Sequence, residues 1–285
     1  VAMQSSEQSN QVNCQTEYDV LKKVIVCPPK HMRIGTVINE TQKRYVSENI
    51  NVDIAMEQHR QFVDVMKKNN VDVIELETEE KLNEQVFTRD IGFTVGEQLF
   101  VSAMGSGIRT GEVGILKGRL HQDNIPFKDL VQMSIEGGDV VIDKEKVWVG
   151  LSTRTTLKAT EALQALLPNH QVIPVSLERR ILHLDCAFNI IGDNLALIYP
   201  NAFSSTRVDK LREHYELIEV NEEEQFTLGT NVLSIGEKKI ISMPQNKQVN
   251  KEMEQAGFDV IEVEFNEIIK SGGSFRCCSM PLLRM

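Results

Sequence analysis

The chain has 285 residues, 41% hydrophobic and 25% charged, with a formal net charge of −10. That is enough sequence for a sizeable core, and the acidic balance argues against nucleic acid or an anionic membrane as partner while suiting a small cation. No apolar run approaches the roughly 18 residues of a transmembrane helix. The five cysteines show no C-x-x-C spacing, so neither a disulfide framework nor a metal site is expected, and a cytoplasmic location fits.

Residues 1–16 are rich in Gln, Ser and Asn and lack the apolar stretch of a signal peptide; they are expected to form a flexible arm, leaving 17–285 as a single domain. Val20 to Cys27 ends in alternating apolar residues and stops at Pro28-Pro29, a strand closed by a turn. Val52 to Asn69 carries Ile54, Phe62, Val65 and Met66 at helical spacing and leads to the strand Val71 to Leu76.

This helix, short turn and strand recur. Val113 to Gln122 leads to Ile125-Pro126-Phe127, Ala159 to Leu167 to Val172 to Val175, Val208 to His214 to Leu217 to Val220, and Val249 to Ala256 to Val260 to Val263. Further apolar pairs separate the units, such as Val140-Val141-Ile142 with Val147-Trp148-Val149. The strand centres lie 43 to 54 residues apart. A unit of this size cannot bury its apolar face alone, so five of them imply a closed ring of blades, an α/β propeller.

The same period carries the unusual polar motifs. Asp90 of Phe87-Thr88-Arg89-Asp90 precedes Glu136 of Glu136-Gly137-Gly138-Asp139 by 46 residues; His183, Asn231 and Cys277 follow at steps of 47, 48 and 46. Equivalent positions in successive blades face one another across the centre. Each motif also has an ordinary reading: a surface acid for Asp90, a tight turn for Glu136, a core histidine for His183, and a buried cysteine pair for Cys277 and Cys278. Together they form a site in which a thiolate attacks an electrophilic carbon and an imidazole moves protons. Arg276 and the two glycines before it are expected to lower the Cys277 pKa. Converging carboxylates need a cation between them, and a planar guanidinium fits that need.

F-T-R-D, E-G-G-D, G-L-S-T-R-T, H-L-D and G-G-S-x-R-C-x-S-M-P occur here in the order seen in guanidino-group modifying enzymes, which the chain resembles from about Val20 onward. That superfamily includes dimethylarginine dimethylaminohydrolases, arginine deiminases and amidinotransferases. The resemblance implies the pentein fold, a five-bladed ββαβ propeller of pseudo-fivefold symmetry. It implies Cys277 as nucleophile, His183 as general acid/base and Glu136 as its carboxylate partner. Asp90 and Asp185 would grip the guanidinium, and Arg109 and Arg154 would bind the substrate α-carboxylate. The implied reaction is hydrolysis of an arginine-like guanidine through a covalent Cys277 intermediate, giving a ureido product such as citrulline. No cofactor or metal is called for, and the resemblance suggests a homodimer, for which the sequence itself gives no direct sign. The length and the Cys277-Cys278 pair resemble the dimethylarginine hydrolases. Asp185, where many of those have lysine, points instead to an unmethylated guanidine, so the substituent stays open. An amidinotransferase and a non-catalytic binding propeller are the alternatives.

Overall fold

A computed structural model describes residues 10–285. Its fifteen named strands form five three-stranded sheets of one design. In four of them a hairpin is followed by a helix that returns the chain to a third strand, parallel to the second. These are β3 (Gly92–Val95), β4 (Gln98–Val101) and β5 (Lys128–Asp129) around α3 (Thr110–Gln122); β6 (Val140–Asp143), β7 (Lys146–Leu151) and β8 (Gln171–Ser176) around α4 (Leu157–Leu166). The next two are β9 (Phe188–Gly192), β10 (Leu195–Ile198) and β11 (Glu216–Glu219) around α5 (Ser205–Arg212), and β12 (Leu233–Gly236), β13 (Lys239–Ser242) and β14 (Asp259–Glu262) around α7 (Lys247–Gln255). The short α6 (Glu222–Phe226) links β11 to β12.

The remaining sheet joins distant parts of the chain. β1 (Leu21–Val26) pairs in parallel with β2 (Asp72–Glu75) and antiparallel with β15 (Met280–Arg284), so Ile25 lies opposite both Ile74 and Met280. Two helices lie between β1 and β2: α1 (Glu40–Tyr45) and α2 (Val52–Lys68). Helix α2 begins because the Asn51 side chain accepts the Ile54 N–H, and it buries Ala55, His59, Phe62, Val63 and Met66 at helical spacing. The same capping by Thr156 and Ser204 starts α4 and α5.

All five predicted helix–strand units are present, with one displaced: the strand expected at Ile125–Phe127 is β5, two residues at Lys128–Asp129. Ile125 is spent instead on closing the end of α3, its N–H bonded to the Leu120 carbonyl. The expected flexible arm is also too long. Residues 1–9 lie outside the described residues, but Val12, Cys14 and Thr16 are buried, and Cys14 and Thr16 bridge to Gly96 and Asp143. Among the described residues no helix is long and apolar enough to cross a membrane.

Candidate active site

Three sheets begin in the same way. A turn of 3-10 helix stands immediately before β3 (Thr88–Ile91), before β6 (Gly137–Asp139) and just before β9 (Leu184–Cys186). The turn before β6 touches both of the others. Asp90 lies inside the first turn, while Glu136 and His183 are the extended residues that open the other two. The fit depends on two glycines. A Cβ on Gly137 would come within 2.0 Å of the Arg89 carbonyl oxygen, and one on Gly138 would lie 2.6 Å from Asp90 Oδ1 and 2.7 Å from His183 Nδ1.

The result is a buried acid–imidazole cluster. His183 Nε2 lies 2.6 Å from Glu136 Oε2, and His183 Nδ1 lies 3.6 Å from Asp90 Oδ1. Burial opposes a charge on His183, but the Asp90, Asp139 and Glu136 carboxylates outweigh it and hold the imidazole well above its ordinary pKa. Burial likewise opposes ionisation of Glu136, yet the hydrogen bond and charge of His183, with Arg109 and Arg154, hold it at about 2. Glu136 Oε1 also accepts the Gly105 N–H at 3.0 Å. Asp139 accepts from Ser152, Thr155 and the Leu184 N–H; burial nevertheless pushes it up to about 7. The ligand atoms of Asp90, Glu136 and His183 lie within 4.8 Å of one another, close enough to surround a cation. Asp90 Oδ1 and His183 Nδ1, both buried, have no hydrogen-bond partner among the described residues.

Cys277 comes from the segment before β15. Asn231 Oδ1 accepts the backbone N–H groups of Ser274 and Cys277, and the Asn231 side chain donates to the Asp185 carbonyl. The Cys277 Sγ lies 3.6 Å from Asp185 Oδ2, and Cys186 Sγ lies 3.6 Å from Asp185 Oδ1. Among the described residues no hydrogen bond joins Cys277 to His183. The expected lowering of the Cys277 pKa is absent: a hydrogen bond with Cys186, burial and the Asp185 charge hold the thiol well above its ordinary value. Arg276 does not offset them, because its guanidinium is committed to Asp185 (2.7 Å), Glu17 (2.9 Å) and the Val140 carbonyl.

The two other arginines expected at the substrate are engaged as well. Arg109 is buried between Asp90 Oδ2, at 2.6 Å, and Glu112, at 2.8 Å. Arg154 lies 3.4 Å from Glu136 Oε1 and donates to the Ile38 carbonyl at 2.9 Å. Residues 38–42 cover this side, pinned by Asn39 and Gln42 to Ser271. A cavity of about 300 Å³ opens beside them, reaching Cys186 and Gly272 from a rim that includes Arg180 and Phe226. Glu112 and Glu17 were not singled out in the sequence, and Arg276 was singled out only for its expected effect on Cys277; their ion-pair roles follow from contacts in the fold.

The profile of the family described as N,N dimethylarginine dimethylhydrolase, eukaryotic, matches residues 28–284. The chain belongs to this family, within the guanidino-group modifying, or pentein, superfamily. Among its relatives, the uncharacterized protein YkgA of Bacillus subtilis is 51% identical over 271 residues, covering 95% of each chain. The N(G),N(G)-dimethylarginine dimethylaminohydrolase of Mycobacterium tuberculosis is 24% identical over 264 residues, covering 92% of this chain and 86% of its own. The solved N-terminal domain of ArgZ, covalently bound to a reaction intermediate, superposes with a TM-score of 0.86 at 23% identity, covering 92% of this chain and 98% of its own. That likeness establishes a shared mixed α/β fold of small sheets. The relatives together place the chain among proteins that hydrolyse or transfer guanidino groups.

Proposed function

We propose that this protein is a cysteine hydrolase of the guanidino group of arginine or a substituted arginine, built as a closed five-bladed propeller with the site at its centre. The observation that carries the reading is the pair Asp90 Oδ1 and His183 Nδ1, buried 3.6 Å apart inside a ring of carboxylates and without a hydrogen bond among the described residues. An acceptor there takes a guanidinium N–H, and the charge of the bound cation favours the Cys277 thiolate that burial otherwise opposes.

In the first half-reaction Cys277 sulfur bonds to the guanidinium carbon. The C–N bond then breaks, and its electron pair leaves with the amine, which takes a proton from His183 Nδ1. Glu136 keeps the imidazolium stable through Nε2 until that transfer. In the second half His183 removes a proton from water, the oxygen bonds to the same carbon, and the C–S bond breaks to give the ureido product and free Cys277. The segment 38–42 must move for substrate to reach these buried groups.

The test is a ureido-product assay on the purified protein with arginine, both dimethylarginines and agmatine, with Cys277→Ser and Cys278→Ser alongside. Product from one substrate is expected, lowered at least about 10³-fold by Cys277→Ser and little changed by Cys278→Ser. No product from any substrate, even with an amine acceptor present, would sink the enzymatic reading; product only with the acceptor would make it an amidinotransferase.

A further inference from the structure

Asp185 also borders a second charged cluster, with the opposite balance. Arg89, Arg276 and Arg284 are all at most 4% exposed, and the carboxylates buried with them are Glu17 and Asp185. Three guanidinium charges therefore face two carboxylates, an excess of one positive charge away from solvent. Arg276 pairs with both acids and Arg89 with Glu17 at 3.3 Å. Arg284 makes no ion pair among the described residues; one of its N–H groups donates to the Asp19 carbonyl. Burial pushes the Arg284 pKa down, and burial together with the Arg276 charge brings Arg89 down to about 10. A buried guanidinium without a counter-charge is strongly unfavourable.

The unsatisfied atoms of this cluster are donors. Among the described residues, Arg89 Nη2 and Arg284 Nη2 are buried without a hydrogen-bond partner, as is Arg276 Nε. Arg89 and Arg284 line a cavity of about 10 Å³, which also touches Cys14, Thr16 and Glu17. That is room for the centre of one particle the size of a water or a monatomic ion. Thr16 Oγ1 accepts from the Tyr18 and Asp19 N–H groups, which leaves its own proton to donate. The Cys14 thiol, pushed up to about 12 by burial, stays protonated and is a weak donor. Both Glu17 oxygens already accept, from Arg276, Arg89 and the Ile142 N–H. The nearby Val140 and Pro281 carbonyls accept from Arg276 and Thr94. A water here would find donors on most sides and few acceptors for its own two protons. An anion needs no acceptor.

We infer that the cavity between Arg89, Arg284 and Thr16 binds one monovalent monatomic anion of the chloride class, which neutralises the buried arginine cluster. The site joins the segment before β1, the turn before β3, and β15, so the anion ties together three separate parts of the chain. It goes beyond the proposed reaction and does not depend on it.

The test compares thermal unfolding of the full chain in sodium chloride, bromide and gluconate at equal ionic strength, with anomalous diffraction from crystals grown in bromide. The midpoint is expected to rise saturably with chloride and bromide, by about 5 °C at a hundredfold excess over the dissociation constant, and not with gluconate. One bromide peak should lie between Arg89 and Arg284. Arg284→Gln should abolish the halide dependence. Thr16→Val, which removes one donor at nearly constant volume, should weaken halide binding several-fold even if the arginine variant fails to fold. Equal midpoints in all three salts, or no bromide at the site, would overturn the proposal. Bromide density without a halide-dependent midpoint would mark an adventitious ion only and overturn it too.

Discussion

Two buried aspartates, Asp90 and Asp185, occupy turns at the start of the β3 and β9 sheets, either side of the turn before β6, yet their surroundings differ. Asp90 spends one oxygen on Arg109 and leaves the other without a hydrogen bond among the described residues, 3.6 Å from His183 Nδ1. Asp185 gives one oxygen to Arg276 and has a thiol 3.6 Å from each of its two. Around Asp90 carboxylates outnumber their cations, and the region is short of a positive ligand. Around Asp185 and Glu17 arginines are in excess, and the region is held together by its own ion pairs. The contrast teaches that motif aspartates in similar turns can keep an oxygen without a hydrogen bond in one case and be tied into ion pairs in the other, and that a second grip on a guanidinium through Asp185 would require Arg276 to share its partner.

Substitutions can break or sharpen this contrast. Asp185→Asn leaves Arg276 buried with one carboxylate fewer, and a loss of about 3–5 kcal/mol of stability is expected in denaturant titration. A loss below about 1 kcal/mol would mean that the ion pair does not hold the region together. Glu17 offers a pH-resolved check. Burial alone would raise its pKa, but Arg276 and Arg89 hold the carboxyl at about 2, below the ordinary 4.5. A depressed carboxyl stabilises the fold above its unfolded pKa, so this contribution, about 3 kcal/mol, is present above pH 4.5 and is lost as the pH falls through 2. Glu17→Gln should remove that acid-sensitive component, and an unchanged acid profile in the variant would contradict the assignment.

Asp90→Asn should act on function more than on folding: kcat/KM for the preferred guanidine is expected to fall roughly 10²-fold, about 2.7 kcal/mol of transition-state stabilisation. An equal fall for Asp90→Asn and Asp185→Asn with both folds intact would erase the distinction drawn here. The smallest effect is expected at Cys186. Its hydrogen bond is the leading cause of the raised Cys277 pKa, so Cys186→Ala should move the pH profile of Cys277 alkylation to lower pH. A profile that does not move would assign the raised pKa to burial and the carboxylates.

Much of this arrangement was legible in the chain. The repeat could be read because each unit alternates an amphipathic helix with a short apolar strand, a pattern set by local periodicity. The nearly constant step from Asp90 through Glu136 and His183 to Cys277 then placed them on matching turns. The partners of those residues could not be read in the same way. Arg276 stands next to Cys277 in sequence, and proximity along the chain suggested that it would act on the thiol. Its long side chain instead reaches Glu17, 259 residues away. Glu112 captures Arg109 from one turn of helix further on, which makes a surface-compatible i,i+3 pair a buried one. Residues 12–16 looked like an arm because they are polar, yet backbone bridges to Gly96 and Asp143 draw them in, and polarity says nothing about which edges need a partner.

The pairing of Ile25 with Met280 bridges 255 residues of chain. Contacts of such separation carry the largest loop-closure cost. Cys277 lies three residues before that strand, and its backbone is oriented by Asn231 from another sheet. The position of the Cys277 thiol therefore depends on the pairing of β15 with β1 and on the Asn231 side chain. The contact of His183 with Glu136 spans only 47 residues of chain, so the imidazole and the sulfur differ in how much of the fold each needs to be in place.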